Sequence, residues 1–252
     1  WQALRIAGGA GLFVTVLAQP VDWNWLFLLP LAVLIAWHPF VAVMPSGFIR
    51  ARAGLAGAVM LHFLLFYAFY AAELFMPLMM IDFLGISSSV TGLAFTCAAI
   101  AWIAASFSQA WLSNRISLYQ SLLLGMAFTT VGLAMAAAIL VPDMHYAIVY
   151  PAWALAGIGM GISFNTLVSA TMDFTRKGEE GATSTANGIA GSMAIGLAAG
   201  VGGAITNHGE LAGYGLDQSL ALVWLMTGVA CVACFWVIWL RFRPRVLASV
   251  AN

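Results

Sequence analysis

Glu73, Tyr70, His62 and Pro77 combine residue types and spacings that could do chemistry. All four lie in one apolar stretch, Leu55 to Phe83, LAGAVMLHFLLFYAFYAAELFMPLMMIDF. A carboxyl group in such surroundings is suited to taking up and releasing a proton or to holding a cation. It is expensive there, by about 2.5–3.5 kcal/mol on membrane-insertion scales, and marks a functional-site hypothesis. Pro77, four residues on, has no N–H to offer the Glu73 carbonyl, so the helix should loosen at that point. A carboxylate beside a freed carbonyl is a plausible proton or ion site. At 100° per residue, His62, Phe66, Tyr70, Glu73 and Pro77 share one helix face. His62 lies about 16 Å along the axis from Glu73, too far for a direct pair. Tyr70 is one turn from Glu73 and within reach of a hydrogen bond. The expected roles are proton exchange at Glu73, ligand stacking on Tyr70 and its aromatic neighbours, and His62 nearer the inner mouth. The structural alternatives are a Glu73 bonded to Tyr70 or to Asn165 elsewhere in the bundle, and a buried, satisfied His62.

The element that positions these residues is a membrane-spanning helix. The chain of 252 residues is 63% apolar and 7% charged, with a mean hydropathy of +0.99. Soluble domains carry about 25% charged residues, so a water-soluble globule is excluded. A net charge of zero argues against nucleic acid as a partner. Eight apolar segments are delimited by turn and charge signals, roughly 4–18, 23–44, 55–83, 88–112, 117–141, 147–172, 182–206 and 217–241. Their lengths suit tilted spanning helices. The basic residues are Arg5, Arg50, Arg52, Arg115, Arg176, Lys177, Arg241, Arg243 and Arg245, and they occupy only the ends and every second loop. The positive-inside rule puts those loops and both ends on the cytoplasmic side. The opposite loops carry Asp22, Asp82, Asp143, His145, His208, Glu210 and Asp217.

The loop WLSNRISLYQ, Trp111 to Gln120, resembles the cytoplasmic loop motif G-x-L-(A/S)-D-R-x-G-R-R of the major facilitator superfamily. Leu112, Ser113 and Arg115 match; Gln109 or Ala110 stands where Gly is usual, Asn114 replaces the Asp, and the trailing basic cluster is absent. Such a degenerate copy is what that family's C-terminal half carries. The resemblance implies that segments three to eight are the C-terminal six helices of a twelve-helix core. Segments one and two would be the linker pair of fourteen-helix drug:proton antiporters. Residues 62–77, 85–102, 150–167 and 178–200 look like bacterial multidrug-efflux members throughout. The chain opens on Trp1 at a helix entrance and is expected to be the C-terminal part of a longer protein.

Other motifs have simpler expected readings. Cys231 and Cys234 form a Cys-x-x-Cys pair with no His, Lys or Asp nearby, and serve as small packing residues. Gly157, Gly159 and Gly161 precede Ser163, Asn165 and Thr166; no strand precedes and no Lys-Ser/Thr follows, so they signify close helix approach or flexing. Gly188, Ser192, Gly196 and Gly200 make an i, i+4 ladder expected to pack helices or to form a sliding seam. DFTRKGEE, Asp173 to Glu180, reads as a solvated turn broken by Gly178, or as a gate using Arg176 or Glu180. Trp23, Trp25, Trp111, Trp224 and Trp239 are expected interface anchors, and Met60, Met76, Met79, Met80 and Met160 either a ligand lining or core filler.

The expected architecture is an all-α integral membrane protein of eight transmembrane helices. Residues 1–52 hold two linker helices and a loop, 53–245 a six-helix transporter bundle, and 246–252 a cytoplasmic tail. The expected function is secondary active transport, proton-coupled efflux of amphipathic small molecules by alternating access in the plasma (inner) membrane. Its partners are substrate, protons, the lipid bilayer and an N-terminal half, with no cofactor, metal or nucleic acid. Nutrient uptake is the alternative within the class. A non-transporting scaffold or partner subunit is the alternative outside it, distinguished by whether further spans belong to the same polypeptide. An enzyme is disfavoured: Gly161-Ile-Ser163-Phe-Asn165 lacks the second Gly of a nucleophile elbow, and no H-E-x-x-H or P-loop is present. Segments three to five and six to eight should form an inverted pair, although no residue repeat links them.

Overall fold

Backbone amides that cannot reach water must bond within their own segment, so a chain this apolar folds as helices. A computed structural model describes residues 2–18, 28–244 and 246, and the regular structure there is helical. The helices are α1 (Gln2–Ala18), α2 (Leu28–Val43), α3 (Leu55–Pro77), α4 (Ser88–Leu112), α5 (Leu118–Ala137), α6 (Val149–Asp173), α7 (Glu180–Leu211) and α8 (Leu216–Arg241). The last six are long and apolar enough to cross a membrane, counting the wider turn that extends α3 to Phe83; α1 and the described part of α2 are shorter, at 17 and 16 residues. The expected start of segment two, with Asp22, Trp23 and Trp25, lies outside the described residues, as do Arg245 and most of the 246–252 tail.

The outside of the bundle is as apolar as its inside. Leu222, Leu225, Val229, Val232 and Trp236 run down the exposed face of α8, and Leu93, Ile100, Ile103 and Phe107 down that of α4. In water this surface would be an aggregation site; in lipid it meets hydrocarbon. The α4 window is only 22% buried yet strongly apolar, which fits a helix solvated by acyl chains on most sides.

The core follows from which helices touch. α6 packs against α4 and α5, and α3 packs against α7 and α8. Exchanging α3 with α6, α4 with α7 and α5 with α8 turns the first set of contacts into the second. The α3–α6 and α5–α8 contacts map onto themselves. Three spans per unit necessarily invert the second unit relative to the first, so this is the inverted-repeat arrangement. α1 and α2 pair beside the bundle, with Gly9 against Ala36, and Val14 of α1 rests on Gly200 of α7.

The alternating glycines of α6 bring helices into contact. A Cβ at Gly161 would lie 2.6 Å from the Trp102 carbonyl oxygen, and one at Gly157 would overlap the Ala98 carbonyl, both on α4. Gly159 faces the other way, onto Thr129 and Gly125 of α5. Two faces of one helix are thus pressed against two neighbours, which side chains would prevent.

Polar bonds tie the arginine-bearing ends of these helices. The Thr166 hydroxyl accepts from Gln109 Nε2 of α4 (3.2 Å) and shares a hydrogen bond with Ser121 Oγ of α5 (2.8 Å). Asn187 Nδ2 of α7 donates to Thr171 Oγ1 (3.0 Å), and Thr175 Oγ1 donates to Thr183 Oγ1 (2.9 Å). Ser117 caps α5 reciprocally with Gln120, closing two backbone donors at the helix start.

The expected loosening falls just beyond Pro77: Pro77 itself is helical, with φ −60°, and the helix widens over Leu78–Phe83, where the Leu84 amide donates to the Met79 carbonyl five residues back (3.2 Å). Other expectations are corrected. Gly188, Ser192 and Gly196 do not pack within the structure: they are exposed, and only Gly200 of that ladder is covered. The face of α7 that packs carries Ala190, Ala194 and Ala198 instead, because it must follow the line of α3. Trp224 is buried rather than interfacial, whereas Trp111 and Trp239 are exposed. Met76, Met79, Met80 and Met160 are fully buried filler. Cys231 and Cys234 are buried free thiols.

Candidate functional site

Aromatic spacing along α3 builds the site. His62 stacks on Phe66 (centroids 4.3 Å), and Phe66 meets Tyr70 (5.4 Å). Phe164 of α6 lies 5.7 Å from both His62 and Phe66. Trp102 of α4 stands 6.0 Å from Phe164 and 5.8 Å from Phe69. Three helices thereby contribute to one wall, whose Phe66, Tyr70, Trp102 and Phe164 are half-buried. Half-buried rings offer faces and edges to a ligand while their other sides stay packed.

Glu73 is half-buried one turn beyond Tyr70 on the same helix. The expected hydrogen bond between them is not formed, and among the described residues Glu73 has no hydrogen-bonding partner. Asn165 does not reach it either, because its Nδ2 donates to the Gly161 carbonyl of its own helix (2.8 Å). Tyr70, His62 and Glu73 therefore share the expected face, and Asn165 stands apart from them.

His62 is 5% exposed, and its Nδ1 has no hydrogen-bonding partner. The reading of a satisfied buried histidine is therefore not what the structure shows. Asn187 is nearly as buried, its Oδ1 also lacking a partner. Both line one cavity of ≈ 370 Å³, with Phe66, Phe164, Gly188 and Ser192 completing the wall. Buried amides and imidazoles normally find partners, so the unpartnered His62 Nδ1 and Asn187 Oδ1 single out this wall as a candidate binding region. Sequence reasoning missed Asn187. Its signal was an amide within a run of Ala, Gly and Ser otherwise without one, which membrane burial makes costly.

The motif loop forms a tight turn at the arginine-bearing end. The Ser113 amide donates to the Gln109 carbonyl and the Arg115 amide to the Leu112 carbonyl, each at 2.9 Å. The Arg115 guanidinium lies 4.2 Å from the Trp111 ring centroid, a cation–π contact. Asn114 is engaged as well. Gln109, just before this loop, turns inward to Thr166. In the 173–180 loop, Gly178 has φ +89° and its amide donates to Glu180 Oε2 (2.9 Å). Glu180 thus folds back on its own loop. Among the described residues no cluster of His, Cys, Asp or Glu could hold a metal ion.

The family model described as Major Facilitator Superfamily matches residues 4–198 and, separately, residues 58–251. No curated protein matches the chain. With six helices among the described residues long and apolar enough to span a membrane, and a model match over most of its length, the chain is a member of the Major Facilitator Superfamily, a family of membrane transporters.

Proposed function

We propose that this bundle forms one wall of a proton-coupled exporter of amphipathic small molecules in the plasma (inner) membrane, with Glu73 as the proton-exchanging group. The observation that carries the reading is the α3 face itself. A half-buried carboxylate without a hydrogen-bonding partner adjoins an aromatic wall built from three helices. Proton and substrate would compete for this region, so occupation by one releases the other, and alternating access converts that linkage into exchange. The second wall would be another six-helix half. The exposed Gly188, Ser192 and Gly196 support this, since small residues let a facing helix approach closely.

The test compares two transport modes in vesicles containing the intact protein. Glu73→Gln should reduce pH-gradient-driven efflux of a lipophilic cation such as ethidium at least tenfold. It should leave ethidium–ethidium exchange running, because exchange needs no net proton movement. Undiminished pH-driven efflux in the variant would remove Glu73 from the coupling role. A scaffold would move no substrate in either mode.

A further inference from the structure

The connection between α2 and α3 has features that transport does not use. Residues 44–54 fold back through Gly47, with φ +91°, and a single helical turn at Phe48–Arg50. The Arg52 stem lies over Gly47, where a Cβ would come within 2.8 Å of its Cγ. Arg50 and Arg52 are both exposed, with no acidic partner among the described residues. Arg241 of α8 donates from Nη2 to the Arg50 carbonyl at 3.1 Å, bringing a third guanidinium to the same end. Beside Arg50 and Arg52 opens a cavity of ≈ 320 Å³, lined by these two and by Val41, Met44, Ser46 and Gly47 among others.

A second cavity of ≈ 330 Å³ shares Phe48 and Ile49 with the first. It runs between the α1–α2 pair and the bundle and is lined by Phe13, Trp37, Phe40, Phe63, Met193 and Leu197. Its lining is apolar throughout, so water gains nothing there and hydrocarbon does. The two cavities thus adjoin at Phe48 and Ile49, one edged by guanidinium groups at the arginine-bearing end and the other apolar, alongside the spanning helices. An ordinary crevice between helices offers a lipid tail a groove, but not two unpaired guanidinium groups at its entrance.

We propose that this cleft is a binding site for an anionic phospholipid, its phosphate on Arg50 and Arg52 and one acyl chain between α2, α3 and α7. Charge complementarity selects the headgroup, since basic pockets between helices hold anionic lipids where a zwitterion, carrying its own cation, competes poorly. The bound lipid would join the linker pair to the bundle across a boundary where α2 and α7 barely touch.

The experiment measures lipid binding to the purified intact protein by native mass spectrometry and thermal shift, with phosphatidylglycerol and phosphatidylcholine of matched chains. Phosphatidylglycerol should bind more tightly and raise the Tm further. The double variant Arg50→Gln/Arg52→Gln should lose that preference, about fivefold for each guanidinium removed. Arg50→Lys/Arg52→Lys should retain most of it. A benzophenone side chain at Leu197 should crosslink to lipid. Equal binding of the two lipids, or a preference that survives the double Gln variant, would overturn the proposal. So would an equal shift with inorganic phosphate alone, or a Leu197 crosslink to a protein segment covering the cleft.

Discussion

At the scale of single residues, burial decides which polar groups are ready for a ligand and which are structural. Thr166 stands between Gln109 and Ser121, so Thr166→Val removes two partners at once. The expected loss is about 1–2 kcal/mol, since individual interhelical bonds in membranes are worth roughly 0.6 kcal/mol on average. Thermal unfolding in detergent would show it, with substrate affinity unchanged. Asn187 predicts the opposite pattern. Asn187→Leu removes the unpartnered Oδ1 from the cavity wall and also takes one donor from Thr171 Oγ1, which keeps its own bond to the Val168 carbonyl. Substrate binding should weaken at least fivefold, and Thr171→Val, which leaves the cavity intact, should not reproduce that loss. Equal binding losses in the two variants would make Asn187 merely structural. The shared face of His62, Tyr70 and Glu73 was legible in the sequence, because helical periodicity fixes angles within one element. That neither Tyr70 nor Asn165 bonds to Glu73 was not legible, because such bonds depend on rotamers and interhelical distance. Asn165 instead takes the carbonyl four residues back, an option open to any short polar side chain in a helix.

At the scale of elements, two sets of small residues on neighbouring helices have different destinies. Gly159 touches Thr129 and Gly125, whereas a Cβ at Gly188 or Gly196 would meet nothing within 4 Å. Gly159→Val should therefore push α6 from α5 and cost about 1–3 kcal/mol or more in stability. Gly188→Val and Gly196→Val should leave bundle stability within about 0.5 kcal/mol of the parent. If those residues face a second half during transport, the same two variants should slow transport severalfold. Unfolding curves and flux measurements on all three variants separate the roles. Segment boundaries were readable because turn residues and charges punctuate them; α4 spans 88–112 as expected. Which ladder would pack was not readable. Both run at i, i+4 spacing on α7, and only the path of α3 selects Ala190, Ala194 and Ala198.

At the scale of the whole molecule, the contacts of α3–α5 mirror those of α6–α8 about α3 and α6. The two units share the pairing of their first helices without repeating residues, and the α7–α8 contact has no comparable α4–α5 counterpart, which is why no repeat was visible in the sequence. Close packing needs only small residues somewhere on the facing stripe, and the two halves satisfy that need differently. The charge pattern predicts an orientation, with the arginine-bearing ends inside, since Lys and Arg occupy only the ends and alternate loops. Impermeant thiol reagents would check it in intact cells. Ser113→Cys should be protected from outside and Met144→Cys labelled. Native Cys231 and Cys234 should stay unreactive because both are buried. Labelling of Ser113→Cys from outside would reverse the assigned orientation.

The central claim is that proton and substrate exclude one another at the α3 face. The most direct measurement is proton release by the purified intact protein in weakly buffered detergent when ethidium is added at saturation. About one proton per bound ethidium is expected from the parent and none from Glu73→Gln, with ethidium still bound by both. Proton release that persists in Glu73→Gln, or binding by the parent that releases no proton at any pH between 5 and 8, would contradict it.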